Sequence, residues 1–80
     1  MKELVEYIIQ NLATNQDEAE VICEEEEDRV HITVLLASED MGRVIGRQGR
    51  IAKSIRAILK AVAMKEDKLV TLDIEEKQNE

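Results

Sequence analysis

The sequence predicts an α+β fold: a mixed three-stranded sheet with three helices on one face. Three observations carry this expectation. Val30, Ile32, Val34 and Leu36 alternate with Arg29, His31, Thr33 and Leu35, the period-two pattern of a half-buried strand. Leu4, Val5, Ile8, Ile9 and Leu12 recur on one face of a helix, and Ile51, Ala52, Ile55, Ile58, Leu59, Val62 and Ala63 share an arc of another. Of only three glycines, two bracket the segment Gly46-Arg47-Gln48-Gly49 between helical patterns.

The elements follow in order. The first helix ends at the polar break Thr14-Asn15-Gln16-Asp17, and Val21, Ile22 and Cys23 then read as a short strand. Glu24 to Asp28 is a run of like charges suited to a solvated hairpin turn. After the alternating strand, Ser38 offers an N-cap, and Glu39 and Asp40 suit the positive end of a helix dipole. Met41, Val44 and Ile45 give this helix a short apolar stripe, and Gly46 stops it. The next helix spans about Arg50 to Lys65. Val70, Leu72 and Ile74 then alternate with Thr71 and Asp73 in a last strand, and Glu75 to Glu80 reads as a polar tail. Residues 1–76 thus form one domain, with 77–80 outside it. The first two strands pair antiparallel, and the last returns parallel after its helical crossover.

An 80-residue chain holds one domain with a modest core. That core is aliphatic, because Tyr7 is the only aromatic residue. A single cysteine, Cys23, permits no internal disulfide, which fits a reducing cytoplasm. No apolar run approaches the roughly 20 residues of a membrane span, and the early charges of Lys2, Glu3 and Glu6 argue against a secretory signal. The expectation is a cytoplasmic protein with no membrane partner.

The net charge of −7 argues at first against a nucleic-acid partner. Its distribution reverses that. Residues 1–40 carry a net −10, residues 41–65 a net +7 with no acid among them, and residues 66–80 a net −4. The basicity is confined to the segment that holds the glycine pair. Glycine reaches backbone angles that strain other residues and leaves room for a ligand's backbone. The following helix aims its N-terminal amides at the loop. Arg43, Arg47, Arg50 and Lys53 lie within about a turn of it. Amides plus cations make a phosphate site.

Other chemistry finds no support. No G-K-[ST] follows the glycines, as a nucleotide-hydrolase loop requires. The loop does not open directly from a strand, as a dinucleotide fingerprint does. His31, alone on the outer face of its strand, and Cys23, a small hydrophobe, have no catalytic partners in the sequence. The carboxylates show no metal-ligand spacing. The reading is therefore non-enzymatic, with no catalytic or metal residues, no cofactor and no small-molecule substrate.

The stretch Val44-Ile45-Gly46-Arg47-Gln48-Gly49-Arg50-Ile51-Ala52-Lys53 resembles the G-x-x-G loop of KH domains, which clamps about four nucleotides by their backbone. The element order resembles the type II form, and the match looks closest to the small stand-alone bacterial KH proteins of the KhpA, or YlqC-like, family. The resemblance implies single-stranded RNA as partner. Gly46 and Gly49 would shape the loop, Arg47 and Gln48 would touch sugar-phosphate, Arg43, Arg50 and Lys53 would flank it, and Val44 and Ile45 would floor an apolar groove. Family folds build the other groove wall from the sheet and a variable loop. Here that loop, Lys65 to Lys68, is short, which implies weak base selectivity. The resemblance further implies a post-transcriptional regulator or RNA chaperone, linked to cell-division or elongation control through a larger Jag-type KH protein.

A second surface is legible. Ser54, Ala57, Ala61 and Met64 are small or apolar yet lie off the core arc, and small residues let another helix approach closely. They read either as a solvated side or as an interface for a homodimer or a Jag-type heterodimer. The rival functions are thus a protein-dimerisation module, whose glycines merely turn the chain, and a ribosome-assembly factor, which shares the RNA chemistry.

Overall fold

The computed structural model describes residues 1–77. Its order is α1 (Lys2–Leu12), a 3-10 turn (Gln16–Glu18), β1 (Glu20–Glu25), β2 (Arg29–Leu36), α2 (Ser38–Ile45), a second 3-10 turn (Arg47–Gly49), α3 (Arg50–Lys65) and β3 (Leu69–Glu76). The three-stranded sheet runs β1-β2-β3. β1 and β2 are antiparallel, with Cys23 opposite Ile32, and β3 lies parallel to β2, with Leu72 opposite Ile32. The α+β architecture and the mixed sheet are as the sequence predicts.

Alternation decides which side of the sheet is covered. Val30, Ile32, Val34 and Leu36 are all buried, on the face where Val5 and Ile9 of α1, Val44 of α2 and Ile55 and Leu59 of α3 meet them. Cys23 packs against the rim of this cluster as a small hydrophobe. The opposite face carries His31, which hydrogen-bonds the Thr71 hydroxyl and lies 3.3 Å from Asp73.

Four expectations need correction. Ser38 is the first residue of α2, not its cap; Ala37 holds that position, and no side chain caps the helix. Ile58 is 46 % exposed, because the covered stripe of α3 centres on Ala52, Ile55, Leu59 and Ala63, and Ile58 lies on its flank. Glu75 and Glu76 belong to β3 rather than to a tail, paired with Leu35 and Leu36, and the Lys77 N–H donates to the Leu36 carbonyl at 2.6 Å. The rest of the expected tail, residues 78–80, lies outside the described residues.

Asp40 is the fourth. The sequence suggests a surface acid near a helix dipole; instead the residue is fully buried. The Thr14 N–H and hydroxyl donate to one carboxylate oxygen at 3.0 and 2.7 Å, and the Asn15 N–H donates to the other at 2.9 Å. One carboxylate thus ties the start of α2 to the end of α1 across about 25 residues of sequence. The Thr14 hydroxyl, then the Thr14 and Asn15 amides, hold its pKa down from 3.8 to about 2. Folding lowers this pKa, so the folded state binds the proton more weakly. The contribution is complete above about pH 4 and is lost as pH falls toward 2. Asp40→Asn is expected to lower the melting midpoint at pH 7 by more than about 5 °C, and to bring wild type and variant together in a melt at pH 2.

The turn between α3 and β3 explains its own shortness. The Asp67 N–H donates to Met64 and the Lys68 N–H to Ala63, the double closure that ends many helices with a left-handed residue. That residue is Asp67, at φ 55°. Glycine occupies this conformation without strain, and an acid is unfavourable at a helix C-terminus. Asp67→Gly is therefore expected to stabilise the domain by up to about 1 kcal/mol in urea unfolding.

Candidate nucleic-acid interface

The loop is built on three left-handed residues. Gly46 sits at φ 78°, ψ 174°, Gln48 at φ 58°, ψ 23° and Gly49 at φ 75°, ψ 14°. The Gly46 N–H closes α2 on the Gly42 carbonyl at 2.9 Å, and the Gly49 N–H returns to the Gly46 carbonyl at 3.2 Å. The chain reverses here so sharply that a Cβ on Gly46 would stand 2.6 Å from Cγ1 of Ile51. Gly46 is thus required twice, by its backbone angles and by its contact with Ile51. Gly49 needs only the angle, since a Cβ there would meet nothing within 4 Å.

Arg47 and Gln48 crown this turn, both exposed, and Gln48 does so in a conformation that costs an ordinary residue about 1 kcal/mol. No side chain caps the start of α3; its first amide, the Arg50 N–H, donates to the Arg47 carbonyl, so the 3-10 turn leads directly into the helix. Arg43, Arg50 and Lys53 are exposed around the loop. Arg43 also leans back to within 3.8 Å of Asp40, which joins the loop's cationic rim to the buried carboxylate that fixes α2.

Val44 and Ile45 divide. Ile45 is half-buried below the loop, whereas Val44 is fully buried in the core. Val44 therefore supports α2 from beneath and does not reach the groove floor. The floor comes from residues outside the expected set. α3 and β3 run antiparallel and enclose a groove of about 450 Å³, whose apolar lining includes Ala57, Met64, Leu69, Val70 and Leu72. Lys53, Arg56 and Lys60 stand along the α3 side, and an Arg56 guanidinium nitrogen donates to the Leu72 carbonyl at 3.3 Å. The helical spacing of Arg56 and Lys60 with Lys53 is visible in sequence. The β3 contribution depends on how α3 docks, which no local pattern encodes.

The second surface is also divided. Ser54, Ala57, Ala61 and Met64 are all exposed. Ala57 and Met64 line the groove, while Ser54 and Ala61 point away from it on the flank that Ile58 shares.

Helix, two strands, two helices joined by G-x-x-G, and a parallel returning strand define a KH domain with type II order. The chain belongs to the KhpA/KhpB family: the family model described as "KhpA/KhpB, KH domain" matches residues 2–74. It is 46 % identical over 74 residues to the RNA-binding protein KhpA of Clostridium acetobutylicum, covering 92 % of this chain and 99 % of that one. The RNA-binding protein KhpA of Listeria monocytogenes is 41 % identical, covering 92 % and 97 %. That of Borreliella burgdorferi is 38 % identical over 72 residues, covering 90 % and 88 %.

Among the described residues, no helix is long and apolar enough to cross a membrane, and no group of three or more His, Cys, Asp or Glu is placed to hold a metal ion.

Proposed function

We propose that this protein binds single-stranded RNA, gripping its sugar-phosphate backbone with Gly46-Arg47-Gln48-Gly49 and receiving bases in the groove between α3 and β3. The observation that carries the reading is a strained loop, crowned by exposed Arg47 and Gln48, at the head of an apolar groove edged by Lys53, Arg56 and Lys60. Phosphates meet amides and cations; bases meet aliphatic side chains. With no aromatic platform, base stacking contributes little, and selectivity among bases is modest. The protein acts in the cytoplasm as a regulator or chaperone of transcripts rather than as an enzyme. The three relatives, each named an RNA-binding protein, support this reading.

Crosslinking in cells tests it. RNA should co-purify with the wild type, and its yield should fall when Arg56 and Lys60 are both changed to alanine. Protein partners recovered without RNA would refute the reading. Binding in solution should weaken with salt, with a log–log slope of roughly −2 to −3, as three or four phosphates on single-stranded RNA require.

A second reading coexists with the first. Ile58 is nearly half exposed beside Ser54 and Ala61, an uncharged strip on the flank of α3 away from the groove. This strip fits a helix–helix contact with a second copy or with a Jag-type KH protein, which would place two grooves side by side. Ala61→Lys should leave the melting midpoint within about 3 °C of wild type and abolish any dimer in light scattering. An unchanged dimer would exclude this face as the contact.

A further inference from the structure

The groove has two unlike ends. Toward the loop, the charged side chains that line the groove along α3 are all positive: Lys53, Arg56 and Lys60. From Lys53 to Met64 the α3 wall extends about 17 Å at a rise of about 1.5 Å per residue. There the sign reverses. Lys68 is the last cation lining the groove, and its charge is already engaged: Nζ lies 2.8 Å from Oε1 of Glu25, and its side chain is only 19 % exposed. The pairing holds Glu25 below the ordinary carboxylate range and raises Lys68, each through their shared hydrogen bond.

Beyond this pair stands the β1–β2 hairpin. Glu24 to Asp28 is an unbroken run of carboxylates, all exposed. It is fastened to the rim of the groove, because the Leu69 N–H donates to the Asp28 carbonyl at 2.9 Å and Arg29 pairs with Leu69 in the parallel register. Arg29, the first residue of β2, is engaged by Asp28 at 3.4 Å and Glu26 at 3.8 Å. Glu66 and Asp67, both exposed, occupy the turn between α3 and β3. A strand leaving the groove here passes within a screening length, about 8 Å at physiological salt, of several carboxylates.

We propose that the β1–β2 hairpin is an electrostatic end wall that stops the RNA strand at Lys68 and limits the groove to a short single-stranded segment. This inference rests on the RNA reading above and assigns a role in length selection to Glu24–Asp28. A merely solubilising acidic turn would depress binding of every RNA alike. A wall depresses only the contacts of nucleotides that would run past it.

The test compares a mixed-sequence tetranucleotide with a dodecanucleotide, titrated against the full chain and against a triple variant, Glu24→Gln with Glu26→Gln and Glu27→Gln, which leaves the Glu25–Lys68 pair in place. The expected result is a gain of roughly tenfold for the dodecanucleotide and less than about threefold for the tetranucleotide, with the dodecanucleotide salt slope steepening by about one phosphate contact. Equal gains for both lengths, or no gain for either, would overturn the wall while leaving the RNA reading intact. Failure of the wild type to bind either oligonucleotide would overturn both. A matched melting curve for the triple variant confirms that the comparison is between folded proteins.

Discussion

Changing Arg47 and Gln48 together to aspartate is expected to weaken binding of short single-stranded RNA by at least about thirtyfold, roughly 2 kcal/mol, with the domain still folded. The size follows from what is exchanged. One cation and one amide donor are lost, and two anions appear where the proposed grip would meet phosphate. A charge-assisted hydrogen bond alone contributes about 1.5–3 kcal/mol. The fold should survive because both side chains are exposed. The left-handed backbone at Gln48 also accepts aspartate more readily than most residues. Affinity by fluorescence anisotropy, read beside a melting curve, checks both halves. Retained affinity in a folded variant would mean that the loop is a turn and nothing more.

The other large effect falls on stability. Gly46→Ala should cost at least about 2 kcal/mol, lowering the melting midpoint by roughly 10 °C or more. Two terms act together. The angles φ 78°, ψ 174° belong to a region that essentially only glycine populates, and the added Cβ would stand 2.6 Å from Ile51, on the first turn of α3. Relief requires Ile51 or the whole loop to move, so RNA affinity should fall with stability. Gly49→Ala makes an informative partner: it carries the angle penalty without the clash, and should cost only about 1 kcal/mol. Equal costs at the two positions, in urea unfolding, would show that packing against Ile51 does not matter.

Much of this molecule is legible in its sequence, for definite physical reasons. Strand β2 declares itself because one face is buried and the other is not, so alternation at Val30, Ile32, Val34 and Leu36 is enforced. The loop declares itself because glycines are rare here and two of them bracket a reversal between helices. What is not legible depends on contacts between distant segments. Asp40 reads as a surface acid near a helix terminus until Thr14 and Asn15 are brought to it. Ile58 fits a helical arc, but the sheet covers only part of that arc. Val44 sits beside the loop in sequence and beneath it in space. Leu69 and Val70 become a groove wall only once β3 is docked antiparallel to α3. The groove is thus a tertiary product, whereas the loop at its head is a local one.

The central claim is that loop and groove act as one RNA site. Titrating an isotope-labelled full chain with a short single-stranded RNA, and following backbone amides by NMR, tests it most directly. The account predicts that the largest shifts fall on residues 46–51, with a second set along Arg56, Ala57 and Lys60 of α3 and Leu69 to Leu72 of β3, and that the open sheet face around His31 and Thr33 stays silent. Shifts confined to that sheet face or to the Ser54–Ile58–Ala61 flank, with Arg47 and Gln48 unmoved, would contradict it.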